Sequence, residues 1–202
     1  MANAIQVPGI PRPFEWLVES PRWEQNDGAR VTLFSGPDCD HFHDPASDRR
    51  VANAPCALAA FGDDPFLFSV RASVEETAPF DASALFVRVS DEVWAKLCVE
   101  FTPQGRPMIV SVVTRGLSDD CNSVELDSPV AYLRVIRRPQ SFAFHHSLDG
   151  SRWHFVRHFS LGSPQEIRVG IMVQAPRGPG CVATFSEFRH ATNVPTDLRD
   201  GQ

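Results

Sequence analysis

Four side chains spaced two residues apart, Trp94, Lys96, Cys98 and Glu100, bring an aromatic ring, a cation, a thiol and a carboxyl together. On a β-strand alternate residues share a face, so these four would line one side of it. A ring to stack on, with fixed donors and acceptors beside it, is the equipment for holding a sugar or another small polar ligand. Arg134 and Gln174, from strands expected in the same sheet, extend the set, and Arg88 joins it by parity. These six residues, Trp94, Lys96, Glu100, Arg134, Gln174 and Arg88, form the candidate ligand-binding face.

Glycoside hydrolysis would need more. It takes two carboxyls about 5–5.5 Å apart for retention, or about 6.5–9.5 Å for inversion. Positions i and i+2 on one strand face are about 6.5 Å apart, and i and i+4 about 13 Å. Glu100 has Cys98 and Lys96 at those positions, and the neighbouring strands offer Arg88, Thr114, Arg134 and Gln174. No catalytic residue is therefore assigned. The alternative is a carbohydrate-active hydrolase that pairs Glu100 with a loop acid such as Asp119. Lys96 and Glu100 also fit a cross-strand charge network that sets sheet register.

Other chemistry-bearing residues cluster less tellingly. Asp38, Cys39, Asp40, His41, His43 and Asp44 crowd a polar stretch, residues 35–56, that reads as a long loop. Its aspartates could hold a hard cation, but the spacing matches no zinc pattern, and a hydrated polar loop is the preferred reading; no metal or cofactor is assigned. Ser118-Asp119-Asp120 falls in a second polar stretch, residues 116–129, and would cap a turn or bind Ca2+ beside a sugar. His145 and His146 are adjacent, so one would face the core or an edge and the other solvent. No nucleophile sits in a G-x-S-x-G elbow.

The elements that would position these groups are strands. Residues 80–120 read as three strands joined by turns at 90–92 and 103–107. Period-two alternation also marks Phe66–Glu75, Val130–Arg137, Ser141–His146, Ile167–Gln174 and Val182–Phe188. Phe14–Leu17 reads as an edge strand, and Arg30–Phe34 as another after an Asp27-Gly28 turn. Asp149-Gly150 is a hairpin signal ahead of a return strand from Trp153 to Phe159. No stretch keeps a helical period. Ten or so short strands between Gly, Pro, Asp and Asn turns predict an all-β antiparallel sandwich with little or no helix. One domain is expected over residues 14–190, with residues 1–13 and 191–202 loosely ordered.

Composition agrees. The 202 residues carry a net charge of −6, with scattered basic residues, which excludes an electrostatic footprint for nucleic acid or an anionic membrane. No apolar run reaches the roughly 18 residues of a membrane span. The first residues lack the basic and apolar regions of a secretory signal. Five cysteines at irregular spacing predict free thiols and a cytoplasmic location.

Several strings, in order, resemble a known family. They are Phe80-Asp81-Ala82, Trp94-Ala95-Lys96-Leu97 leading to Glu100, Ile109 to Arg115, Ser118-Asp119-Asp120, Tyr132-Leu133-Arg134, Ser147-Leu148-Asp149-Gly150 with Trp153, Val169-Gly170, and Gln174-Ala175-Pro176 ahead of Gly178 and Gly180. Together they resemble the uncharacterised "regulation of enolase" proteins of the concanavalin A-like lectin/glucanase superfamily, over about residues 14–190. The resemblance implies a jelly-roll of two curved antiparallel sheets with one concave face. It departs from the family at Asp40-His41-Phe42-His43-Asp44-Pro45, and after Asp119, where Asp120 and Cys121 stand. Its family label adds a protein partner, a metabolic enzyme, to the readings. The expectation is a non-enzymatic binding or regulatory module with a carbohydrate or small polar ligand on the concave sheet.

Overall fold

The computed structural model describes residues 4–27, 29–75, 77–162, 164 and 166–202. Among them are sixteen strands and no helix. Residues 1–3, and Gly28 of the expected Asp27-Gly28 turn, lie outside the described residues.

Two antiparallel seven-stranded sheets face one another. The first runs, in spatial order, β1 (Glu15–Val18), β6 (Cys56–Phe61), β15 (Ile167–Gln174), β8 (Ala82–Arg88), β9 (Val93–Phe101), β10 (Pro107–Arg115) and β11 (Leu117–Glu125). The second runs β14 (His154–Phe159), β13 (Ser141–Ser147), β12 (Val130–Arg138), β7 (Phe66–Glu75), β16 (Val182–Ala191), β3 (Arg30–Phe34) and β2 (Arg22–Asn26). A short hairpin, β4 (His41–His43) with β5 (Arg50–Ala52), stands apart from both.

Alternation decides which side chains meet between the layers. On β9, Ala95, Leu97 and Val99 point into an interlayer core shared with Phe68, Val70, Leu133, Val135, Phe144, Ile171 and Phe185. Trp94 and Cys98 belong to a second apolar cluster on the outer face of the first sheet, with Phe86, Met172, Leu58 and Val112. A sheet apolar on both faces needs a second cover, and the β4–β5 hairpin supplies it. Gly170 is required in this packing, because a Cβ there would lie 2.0 Å from the Ala57 carbonyl oxygen of the neighbouring strand.

Three expectations change. Residues 35–56 are not simply loop, since they contain β4 and β5. Residues 117–125, read as polar loop, form an edge strand, because Gly116 at φ 80° allows a tight reversal straight out of β10. The described residues of the terminal segments, 4–13 and 191–202, are packed rather than loose. Ile5, Val7 and Ile10 are buried in the core, and Leu198 is buried at the other end. Arg138 donates to the carbonyls of Pro195 and Thr196, and the Trp153 amide donates to that of Gly201.

Candidate functional site

Register places the candidate residues before any side chain is considered. Directly opposed residues in an antiparallel pair share a face. One row across the first sheet reads Gly170, Phe86, Lys96, Val112, Asp120, and another reads Gln174, Ala82, Glu100, Met108. The outer face therefore carries Lys96, Glu100, Gln174 and Asp120 together.

The β4–β5 hairpin divides this face in two. It is held at its base by the paired backbones of Cys39 and Ala175, and at its tip by His43, whose amide donates to the Ser118 hydroxyl at 2.9 Å. His43 Nδ1 lies 2.9 Å from the Gly116 carbonyl. His41 and His43 pack edge-on against Trp94, with ring centroids 6.0 and 5.7 Å away. Trp94 is thus 1 % exposed, sealed beneath the hairpin, and offers no ring to a ligand. Burial lowers the His41 pKa to about 4, with Lys96 adding to the effect.

The other part of the face stays open as a cleft of about 280 Å³. Lys96, Glu100, Gln174, Asp40 and Asp120 line it, with Phe42, Phe80, Arg49 and Arg177 among the surrounding residues. Lys96 Nζ donates to Gln174 Oε1 at 2.7 Å and to Asp40 Oδ1 at 3.0 Å. Gln174 Nε2 donates to the Phe80 carbonyl. Burial alone would lower the Lys96 pKa, but it is raised, with the Asp40 carboxylate the chief opposing influence, and the ammonium stays charged. Glu100 has no hydrogen-bond or ion-pair partner among the described residues, and burial pushes its pKa up to about 8 despite Lys96, with Asp120 and Asp40 adding to the rise. Asp120 is raised for the same first reason. The Cys98 thiol is driven well above its ordinary value by burial and is no nucleophile.

Chemically the cleft is a set of partly committed groups. An ammonium has three donors and Lys96 has used two; an amide nitrogen has two and Gln174 has used one. At neutral pH Glu100 is largely a protonated carboxyl, able both to donate and to accept. Asp120 adds acceptors.

Of the six candidates, Lys96, Glu100 and Gln174 meet in the cleft. Trp94 lies under the hairpin. Arg88 shares the face but pairs with Asp91 in the following turn and is not part of the cleft wall. Arg134 is on β12 in the second sheet, with its guanidinium 4.2 Å from the Trp153 ring centroid. The expectation of one common sheet fails there, because alternation reveals a residue's face but not its sheet. The loop acid named beside Glu100 also changes. Asp119 points away and pairs with Arg157 at 2.8 Å, whereas Asp120 enters the cleft. The aspartates of residues 35–56 do not converge on a cation: Asp40 is bound to Lys96, and Asp44 accepts from Ala46 and Ser47 in its own turn. Among the described residues no group of three or more His, Cys, Asp or Glu is placed to hold a metal ion. His145 and His146 are both buried, not one in and one out, since residues 193–202 cover the face that carries His145.

Asp40, Asp120 and Phe80 are cleft residues that the pattern of residue types did not single out as a set. A signal for Asp120 existed in Gly116, which turns residues 117–125 back as a paired strand.

Two antiparallel sheets with a polar cleft on one outer face define a concanavalin A-like β-sandwich of the jelly-roll kind. The chain belongs to the family described as protein of unknown function (DUF1349), whose model matches residues 16–193. A functionally unknown protein from Saccharomyces cerevisiae has a similar structure, with a TM-score of 0.84 and 24 % identity over 90 % of this chain and 97 % of that one. The GH43 protein BlXynB from Bacillus licheniformis matches at a TM-score of 0.67 and 17 % identity, covering 90 % of this chain and 36 % of that one. A xylan beta-1,4-xylosidase from Bacillus halodurans matches at 0.67 and 14 % identity, over 83 % of this chain and 33 % of that one. At these identities the likeness is one of fold. This chain spans about a third of each of the two bacterial chains. No curated protein matches the sequence. No helix among the described residues is long and apolar enough to cross a membrane.

Proposed function

We propose that the protein is a binding or regulatory module that takes a small polyhydroxylated ligand, a saccharide or a molecule of similar chemistry, in the cleft of the first sheet. One observation carries the reading: Glu100, buried and unpartnered, stands in an open cleft beside Lys96 and Gln174, which each hold a hydrogen bond in reserve. The Glu100 carboxyl has no protein partner among the described residues and faces the cleft, so a hydroxyl-bearing ligand can both donate to it and accept from it. Phe42 and Phe80 supply apolar surface for a ring face. A glycan array, run with a thermal-shift screen of small metabolites, tests it. Binding abolished by Glu100→Ala supports the reading; both screens empty would overturn it.

A second reading draws on the pairing of acids. A carboxyl with a pKa near 8 is protonated at neutral pH, as a general acid must be, and Asp120 shares its cleft. A hydrolase using Glu100 as proton donor and Asp120 as its partner would turn over model glycosides and lose turnover in Glu100→Gln. A protein-docking role has less support. Among the described residues the exposed large hydrophobics are Leu117, Val124 and Leu148, too few for an apolar docking patch.

A further inference from the structure

A second cavity, of about 520 Å³, opens on the outer face of the other sheet. Its floor is another register row. Arg134 opposes Ser69, and Ser69 opposes Arg189, so β12, β7 and β16 present two guanidinium stems on either side of a hydroxyl. Strands are about 4.8 Å apart, which puts the two stems roughly 10 Å apart, enough to flank a small molecule. Residues 193–202 form the far wall, pinned by Arg138, by His145 bonding the Leu198 carbonyl, and by Trp153.

Arg134 is only 4 % exposed, yet no nitrogen of its guanidinium has a hydrogen-bond or ion-pair partner among the described residues. Its guanidinium lies over the Trp153 ring, 4.2 Å from the centroid. Stacking fixes the guanidinium plane and leaves its in-plane donors for something else. Asp200 acts on it through space without forming an ion pair, and Arg189, exposed, adds a second positive charge. Burial lowers the Arg134 pKa to about 10, which still leaves it charged at neutral pH. A buried cation without a partner is costly, and a ligand carrying the missing anion would offset that cost. Ser69, Ser151, Asn193, Thr196 and Gln202 line the rest of the cavity with hydroxyl and amide groups.

We propose that this cavity is a binding site for a small hydroxylated organic anion, a sugar phosphate or sugar acid, with Arg134 and Arg189 holding the anionic group and the hydroxyl and amide wall holding the polyol. It is separate from the cleft of the first sheet, and its test does not depend on that cleft.

Isothermal titration of the full chain with glucose 6-phosphate, glucuronate, glucose and inorganic phosphate tests the proposal. NMR shifts of the Trp153 indole N–H would locate the site. Saturable 1:1 binding of glucose 6-phosphate or glucuronate is expected, and whichever binds identifies the anion. Arg189→Ala should weaken it by about tenfold, the worth of one charge-assisted hydrogen bond. Arg134→Lys, which keeps the charge but loses the fork, should weaken it at least as much. Because Arg189 is exposed, its variant tests the site without disturbing the fold. Three results would each overturn the proposal: no saturable binding of either organic anion, binding unchanged in both variants, or glucose binding as tightly as the anions. Inorganic phosphate binding as tightly as glucose 6-phosphate would also overturn it, because the polyol wall would then contribute nothing.

Discussion

The outer faces of the two sheets are both roofed by added chain, one by the β4–β5 hairpin and one by residues 193–202, and the roofs differ in how much aromatic packing holds them. The first joins aromatic packing, Trp94 and Phe86 under His41 and Trp94 under His43, to hydrogen bonds made by His43, Asp40 and the Cys39 backbone. It borders a cleft lined by four acidic side chains, Asp40, Asp44, Glu100 and Asp120, and three basic ones, Lys96, Arg49 and Arg177. The second joins hydrogen bonds from Arg138, His145 and Trp153 to backbone carbonyls with a smaller apolar contact, Leu198 and Val194 against Leu67, Ile136 and Ala143, and it borders a cavity lined by Arg134 and Arg189. Burying a whole tryptophan contributes more than a few hydrogen bonds, whose net worth is about 1 kcal/mol each, with a smaller apolar contact beside them. The hairpin should therefore behave as part of the core, and the tail as a separable cover.

Trp94→Ala attacks the stronger fastening. Removing a fully buried tryptophan should cost about 3–5 kcal/mol, read as a lower urea midpoint. Lys96→Met should follow at about 3 kcal/mol, since it leaves Asp40 and Gln174 facing one another without the cation that joins them. A variant as stable as the parent would show that the pair contributes nothing to the hairpin's attachment.

Buried titratable groups on both faces set how stability depends on pH. Glu100 has a folded pKa near 8, above its ordinary 4.5, so the folded state binds the extra proton between those values. Its contribution is favourable below about pH 4.5 and is lost as pH rises towards 8. His41, His145 and His146 behave oppositely. Their folded pKa values, near 4, lie below the ordinary 6.5, so their stabilisation is present above pH 6.5 and lost as pH falls towards 4. Stability should peak between these limits. Glu100→Gln should flatten the alkaline side by roughly 1–3 kcal/mol and steepen the acid side between about pH 4.5 and 6.5, where Glu100 opposes the histidines, measured by urea denaturation across pH 4–9.

On the second face, Arg138→Ala should cost about 1–2 kcal/mol, with hydrogen-exchange protection falling over residues 193–202 and not in β9. The smallest effect is expected from Asp119→Asn. It breaks a largely exposed pair with Arg157 and should change stability by under about 0.5 kcal/mol. Ligand binding in the cleft should survive it and fail in Asp120→Asn.

The strand content, the sandwich and the face of each residue on β9 were legible in the sequence, because burial between layers imposes a period of two and Trp94 to Glu100 keep it strictly. Sheet membership was not. The alternation of Leu133 and Val135 is the same whether β12 pairs with β9 or, as it does, with β7 and β13. Residues 117–125 escaped for another reason: as an exposed edge strand they carry no apolar alternation, only Gly116 and a partner. In residues 35–56 the spacing of His41 and His43 was the usable sign, since residues two apart on an extended segment share a side, and both rings cover Trp94.

The position of β15 and β16 bears on how the chain can fold. β15 lies between β6 and β8, and β16 between β3 and β7. Until residues 167–191 have left the ribosome, each sheet exists as two unjoined parts with open edges on both sides of the gap. Earlier strands can form hairpins among themselves, but β2 and β3 have no route to β7 except through β16. Pairing over such sequence separations is slow, and open edges invite association with other chains. Synthesis of this protein thus passes through a stage in which most of its strands are made and neither sheet can close.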